Sequence, residues 1–284
     1  MLQELEIKLT VSAAALIQAH NWLLARGPTE ARPPLALVNR YYDTPSADIK
    51  RHRAALRMRD TGDGFIQTLK TQGEFVNGAQ RRQEWEWPLS TRELDLQLLA
   101  ETPLGQWLKP DDLAPVFETN FQRRVLILDD GQARIECAFD DGYIEAGDRR
   151  RPLHEVELEL KSGDESRLLA WARSLAEEVP MFLNLVSKAE QGYELAGLGE
   201  RPAAPPDDPV EALFRALSLA WLKGEDRGSE LSGLLDRVRS WADARGVLDH
   251  WQWLKESLSR GHLPTAIFED RRLGYLQLAL IGAR

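Results

Sequence analysis

The chain has 284 residues, 36 Lys+Arg against 45 Asp+Glu, a formal net charge of −9 and a single cysteine. This length holds a full-sized core and more than one domain. The acidic balance argues against a general nucleic-acid binder, and lone Cys137 permits no internal disulfide. No apolar run has the length of a membrane span, and Met1-Leu2-Gln3-Glu4 lacks a signal-peptide pattern, so an intracellular, cytoplasmic protein is expected. Net charge does not exclude a phosphate ligand, because cations confined to one cavity act locally.

In chain order, Glu4-Leu5-Glu6-Ile7-Lys8 alternates charged and apolar residues. A strand over 1–10 therefore puts Glu4, Glu6 and Lys8 on one face, with Leu5 and Ile7 on the other. Ser12 caps a helix whose Leu16, His20, Leu23 and Leu24 follow helical spacing; His20 on that stripe reads as a packing residue. Strands follow near 35–43, 53–60 and 64–72, the last two joined by a hairpin at Thr61-Gly62-Asp63-Gly64 and carrying Arg57, Arg59 and Lys70. A strand near 80–88 carries Arg82, Glu84 and Glu86. Short helical pieces from Thr91 and near Pro103 precede a long strand around 115–128, where Arg123 or Arg124 repeats the pattern and alternation does not decide between them. Asp130-Gly131 and Asp141-Gly142 read as hairpin turns around Arg134, Glu136 and Asp140. The strand near 153–161 alternates Glu155, Glu157, Glu159 and Lys161 with Val156, Leu158 and Leu160. Ser162-Gly163-Asp164-Glu165 reads as a capping box opening a helix with Leu168, Leu169, Ala172 and Leu175 on one face, and a short helix starts near Ser187.

Same-face neighbours on a strand stand roughly 7 Å apart, so paired carboxylates there share a hydrated divalent cation or repel each other. Either acidic stretch alone also describes an antiparallel strand with one solvated face. The arginines and lysines repeated at a spacing of two on the intervening strands set these apart. About eight antiparallel strands close a barrel whose alternate residues face inward. An inward set this charged is prohibitive to bury without a ligand. The interior is expected to be wet and to bind a polyanion.

These blocks, in this order, resemble the CYTH superfamily, the triphosphate tunnel metalloenzymes. They are Glu4-x-Glu6-x-Lys8 near the start, Tyr41-Tyr42-Asp43-Thr44, Leu56-Arg57-Met58-Arg59, Thr68-Leu69-Lys70, the Arg82/Glu84/Glu86 strand, Phe117 to Arg123, Glu136 with Asp140-Asp141-Gly142, Glu155 to Lys161, and Ser187-Lys188. The resemblance covers about residues 1–198. It implies an α+β fold: a closed antiparallel eight-stranded β-barrel, the tunnel, with flanking helices. It implies metal-dependent hydrolysis of inorganic triphosphate (tripolyphosphate) to pyrophosphate and phosphate by in-line attack of water, as in the bacterial triphosphatase branch. Lys8, Arg57, Arg59, Lys70, Arg82, Arg123 and Lys188 are then the substrate-binding set, Arg123 preferred to Arg124 by the family pattern. Glu4, Glu6, Asp140, Glu155, Glu157 and Glu159 are the expected ligands of one or two Mg²⁺ or Mn²⁺ ions. Glu4, Glu6, Lys8, Arg57, Arg59 and Lys70 are the expected catalytic residues, and Glu84, Glu86, Arg134 and Glu136 the remaining tunnel lining. Glu159 and Lys161 continue the inward register toward a tunnel mouth, and Tyr42 and Asp43 support the fold. The histidines fall outside the charged blocks, and His154 beside Glu155 faces outward, so histidine is not the expected base.

Residues 199–209 form a linker stiffened by proline, and 210–284 read as a small all-helical C-terminal domain. Its apolar stripes are Val210 to Trp221, Leu231 to Trp241, Trp251 to Leu258 and Leu273 to Leu280. It resembles the polyphosphate-associated CHAD domain only in class, lacking a His-x-x-Arg run and clustered arginines, and a structural or partner-binding role is expected. A fragment ending near Gly199 is expected to fold and stay active. Two other readings of the whole chain are a triphosphatase for an organic substrate such as thiamine triphosphate, or a class IV adenylate cyclase. A third, from another class, is a non-catalytic polyphosphate-binding module.

Overall fold

The computed structural model describes residues 2–27, 29–71, 73–76, 78–108, 113–199, 206–225, 227–260 and 264–281; residues 200–205 of the linker and His262 lie outside them. The strands are β1 (Leu2–Thr10), β2 (Thr29–Asp43), β3 (Ala54–Asp60), β4 (Phe65–Thr71), β5 (Glu74–Val76), β6 (Ala79–Leu89), β7 (Ala114–Asp129), β8 (Ala133–Ala146), β9 (Arg149–Gly163) and β10 (Phe182–Leu183). Eight of them pair antiparallel in the order β1-β9-β8-β7-β2-β3-β4-β6, and β6 pairs back onto β1. That pairing closes the expected barrel, with β5 and β10 added at β6 and β1.

Closure sorts the two faces of every strand. Outward residues Ile7, Leu9, Ile135, Cys137, Phe139, Val156 and Leu158 are buried under α1 (Ala13–Arg26) and α3 (Glu165–Ala176), which present Leu16, Leu23, Leu168 and Leu175. On the other flank Leu56 and Leu69 pack against Ile49 of α2 (Asp48–Arg51) and against two 3₁₀ turns, Leu96–Leu99 and Pro103–Gln106. Most of the apolar core is thus a shell outside the barrel, and the charges are left inside.

One end of the interior is plugged by α4 (Lys188–Leu195), whose Tyr193 packs among Leu37, Tyr41, Phe117, Phe121 and Leu153. Gly192 allows this approach, since a Cβ there would lie 2.1 Å from the Phe117 ring. Tyr193 donates its hydroxyl hydrogen to Asp43 Oδ2 at 2.7 Å, and Asp43 also accepts from the N–H groups of Thr44, Ile49 and Lys50. Asp43 is therefore the support expected of it.

Several local expectations are corrected. Asp141-Gly142 is not a turn: Gly142 lies inside β8 opposite Phe121, where a Cβ would sit 2.1 Å from Asn120 O. The glycine is needed for close backbone approach, and the β8–β9 turn falls at Gly147 (φ +61°) and Asp148. Ser162 does not cap α3, because β9 runs on to Gly163 (φ +99°) opposite Ala133; Asp164 caps instead, accepting from Ser166 N at 2.8 Å. β2 starts at Thr29 rather than near 35, and its register slips between Arg32 and Leu35, where Pro33 and Pro34 have no N–H to give the ladder. The helical piece from Thr91 is the 3₁₀ turn capped by Asp95.

The tail is helical as read: α5 (Pro209–Lys223), α6 (Gly228–Arg237), α7 (Arg239–Ala244), α8 (Leu248–Ser259), α9 (Pro264–Ile267) and α10 (Arg271–Leu280). The Leu231 to Trp241 stripe is two helices broken at Val238, with Leu231, Leu235, Val238 and Ala242 all buried. The tail's apolar residues join the same cluster as the barrel's outer layer. Phe182 packs against Trp221 and Phe268 at ring separations of 5.6 and 4.4 Å. Gln277 accepts from Leu183 N at 2.8 Å and donates to Leu183 O at 3.1 Å, which covers the open edge of β10.

Candidate active site

Strand parity delivers the charged residues to one cavity of about 950 Å³ inside the barrel. β1 presents Glu4, Glu6 and Lys8; β3, Arg57 and Arg59; β4, Lys70; β6, Arg82, Glu84 and Glu86. Arg123 comes from β7, Glu136 from β8, Glu157, Glu159 and Lys161 from β9, and Lys188 from the first residue of α4. Arg123 lines the cavity while Arg124 is exposed. Asp140 and Glu155 share the inward register but are fully buried behind Lys188. Arg134 is the expected lining residue that the fold does not bring in: it keeps the face of Glu136 but lies near the start of β8 and is exposed, next to the point where the β8–β9 register slips at Lys161 of β9. None of the described residues lining the cavity is a histidine, and His154 pairs outside it with Asp141 at 3.0 Å.

The charges form two networks. In the first, Arg82 bridges Glu4 (3.1 Å) and Glu6 (2.5 Å), Lys70 bridges Glu4 (3.3 Å) and Glu84 (2.6 Å), and Arg57 reaches Glu84 at 3.5 Å and Glu86 at 3.8 Å. In the second, Arg123 grips Asp140 with two bonds of 2.7 Å and meets Glu157 at 2.5 Å. The Lys188 ammonium sits among three carboxylates, 3.0 Å from Asp140, 2.7 Å from Glu157 and in contact with Glu155. Burial pushes the Glu157 carboxyl up, yet Lys188 and Arg123 hold it well below the usual carboxylate range, while burial wins at Glu155 and raises it. Burial lowers the Lys188 ammonium, and the three carboxylates outweigh that and raise it.

Two cations stand apart. Among the described residues neither Lys8 nor Arg59 has a carboxylate within ion-pair distance; Arg59 Nε donates only to Asn39 Oδ1, at 2.8 Å. Asn39 is itself fixed by Nδ2 bonds to Thr119 O (3.3 Å) and Oγ1 (3.2 Å). Burial, then repulsion from Arg57 and Arg123, pushes the Arg59 guanidinium down to about 10, so it stays charged at neutral pH. A half-buried cation facing two other guanidiniums calls for an anion between them.

The six expected metal ligands separate into two groups. Asp140, Glu155 and Glu157 form an acidic cluster with ligand atoms within 4.8 Å of one another, where Lys188 and Arg123 set two positive charges against three carboxylates and Glu155 Oε1 is buried without a hydrogen-bond partner. Glu4, Glu6 and Glu159 border the open cavity as Glu157 does, each paired through one oxygen with Lys70, Arg82 or Lys161, and Glu6 and Glu159 stand directly opposite across β1 and β9. Like charges so placed destabilise the pair unless a cation lies between them. The Glu159 carboxyl is raised by burial and by Glu4 and Glu6, with Lys161 at 2.7 Å opposing. Three carboxylates with spare oxygens fit a hard, oxygen-seeking divalent cation.

Sequence reasoning missed part of the wall. Ala212, Arg215, Ala216 and Leu219 of α5 also line the cavity, and nothing in an amphipathic helix beyond a linker signals that position. Ser187-x-x-Glu190 beside Lys188 is a capping-box spacing that would have flagged how Lys188 is held.

The family model of the CYTH domain matches residues 2–193. The chain belongs to the CYTH domain family. An inorganic triphosphatase of Haemophilus influenzae is 36% identical over 197 residues, which are 69% of this chain and 55% of that protein. The chain thus spans about half the length of this curated relative. A protein from Hippeastrum, proposed as an adenylyl cyclase and described as having a dominant triphosphatase activity, has a similar structure: TM-score 0.53, 18% identity, covering 70% of this chain and 98% of that one. At that identity the likeness concerns the CYTH fold.

Proposed function

We propose that this CYTH tunnel hydrolyses inorganic triphosphate to pyrophosphate and phosphate with Mg²⁺ or Mn²⁺. The observation that carries the reading is the half-buried Arg59, without a carboxylate in ion-pair distance, beside Arg57 and Arg123 in a closed barrel, a cationic gap that a condensed phosphate fills. The inorganic triphosphatase relative, 36% identical, supports the same substrate. Arg57 and Arg59 grip phosphate oxygens in pairs through their guanidinium forks, Arg82 and Arg123, themselves held by carboxylates, add guanidinium charge, and Lys8, Lys70 and Lys188 add point charges along the chain. Asn39 and Thr119 hold Arg59 in aim before substrate arrives, which spares the cost of ordering it on binding. Glu4, Glu6 and Glu159 would hold the metal. When bound, it neutralises phosphate charge and activates water. With no histidine among the described lining residues, the arginines and lysines stabilise charge on the transferred phosphoryl and the pyrophosphate leaving group. The tunnel residues recognise phosphates, so a cytoplasmic pool of triphosphate or short polyphosphate is the proposed source.

A substrate panel tests this. Purified protein should release phosphate from tripolyphosphate faster than from thiamine triphosphate, form no cyclic AMP from ATP, lose activity on chelation and regain it with Mg²⁺ or Mn²⁺ but poorly with Ca²⁺, whose looser shell misplaces water. Tight tripolyphosphate binding with no turnover would make it a binding module instead. Turnover surviving exhaustive chelation would remove the metal from the account.

A further inference from the structure

Lys188 enters the cavity from the first residue of α4, so its ammonium is placed by whatever holds that helix end. The end is closed reciprocally: Ser187 Oγ accepts from Glu190 N at 3.1 Å, and Ser187 N donates to Glu190 Oε2 at 2.8 Å. The other carboxylate oxygen of Glu190 is taken by the tail. Arg215 Nη2 of α5 lies 2.5 Å from Glu190 Oε1, and its Nη1 donates to Leu185 O at 3.2 Å. One turn along α5, the buried Ser218 accepts from Leu185 N at 2.9 Å while donating to Phe214 O at 2.8 Å. Helix α5 therefore holds both backbone groups of Leu185 and the cap glutamate together.

The barrel holds the same segment from the opposite side. Asn184 N donates to Lys8 O at 3.2 Å, and Asn184 Nδ2 donates to Thr10 Oγ1 at 2.9 Å. The approach to Lys188 is clamped between β1, which carries Glu4, Glu6 and Lys8, and a helix beyond the linker. Burial pushes the Glu190 carboxyl up, and Arg215 more than offsets this and keeps it low, so the ion pair is formed at neutral pH. Arg215 borders the same cavity.

We infer that Arg215 is a positioning residue for Lys188, and that through it the helical C-terminal region belongs to the triphosphate-binding unit. The inference rests on the reading of Lys188 as a phosphate ligand. A mere structural anchor at Arg215 would lower stability and leave the kinetics of each folded molecule alone. A positioning residue shifts substrate affinity while the fold holds.

The test compares full-length wild type, Arg215→Ala, Arg215→Lys, Glu190→Gln and the Arg215→Ala/Glu190→Gln double variant on tripolyphosphate with Mg²⁺, alongside thermal melting and calorimetric binding of tripolyphosphate. Arg215→Ala should raise KM about fivefold with kcat little changed, because it removes ground-state binding and transition-state binding alike. Arg215→Lys should restore most of the loss. Glu190→Gln keeps the cap bonds but weakens the hold on Arg215, so it should match Arg215→Ala, and the double variant should be no worse than either. Wild-type KM in a folded Arg215→Ala protein, or effects that add in the double variant, would overturn the inference. If Arg215→Ala does not fold, Glu190→Gln decides by the same KM. A wild type that neither binds nor cleaves tripolyphosphate overturns the functional reading and this one with it, an outcome distinct from an active enzyme indifferent to Arg215.

Discussion

Replacing Lys188 with Met should cost about 3–5 kcal/mol of stability at neutral pH, because it strands a buried carboxylate cluster. Asp140 and Glu155 are completely inaccessible, and without the ammonium Arg123 still pairs with Asp140 and Glu157 while Glu155 loses its Lys188 ion pair. The pH dependence has a defined sign. In the wild type Glu157 is held low, so its contribution is present above its unfolded value of about 4.3 and is lost as pH falls through the folded value. Without Lys188, burial pushes Glu155 and Glu157 up, so the variant gains relative stability as pH falls through those raised values. Urea midpoints should show the deficit largest near neutrality and shrinking toward about pH 5. A loss under about 1 kcal/mol at neutral pH would mean that the cluster is solvated and the knot is weak.

Removing the tail should be more damaging still. The linker's composition suggests a separable unit, but Met181, Phe182 and Leu183 are each at most 1% exposed, and α5, the turn after α9 and α10 supply much of their cover through Trp221, Phe268 and the close approach of Gly274 to Met181. Uncovering three such side chains costs up to about 1.5–3 kcal/mol each, against a typical net stability of about 5–15 kcal/mol. The cut also bares the Leu183 edge that Gln277 pairs and the Leu185 groups that Ser218 and Arg215 hold. A fragment ending at Gly199 is therefore expected to aggregate or to melt far below the full chain, contrary to the expectation from the linker. A soluble fragment with the full-length melting temperature and turnover would show that the tail only rides on the barrel.

What the sequence made legible follows from physics of short range. A period of two is forced on any strand, so Glu4/Glu6/Lys8, Arg57/Arg59 and Glu155/Glu157/Glu159 could be assigned to one face from spacing alone, and closure then gathered them. Alternation gives the face but not how far along it the cavity reaches, as at Arg134, which keeps the face of Glu136 and is exposed near the strand's start. Asp-Gly carries a turn signal at both 130–131 and 141–142; at the second, the ladder outweighs it, because only a glycine fits opposite Phe121. Which carboxylates gather around Lys188 depends on side chains more than 30 residues apart, 155 with 188, and no local pattern encodes it. Arg215 was invisible for the same reason: its partners, Glu190 and Leu185, lie across the linker.

The most direct test of the tunnel chemistry is the steady-state release of phosphate from tripolyphosphate by wild type, Glu4→Gln, Glu6→Gln and Arg59→Ala under saturating Mg²⁺. The account predicts phosphate and pyrophosphate in equal amounts from the wild type, turnover lowered about a hundredfold or more in both glutamine variants, and a joint loss of affinity and rate in Arg59→Ala. Near-wild-type kinetics in all three folded variants would contradict it, leaving the inward charges as no more than the lining of a water-filled barrel.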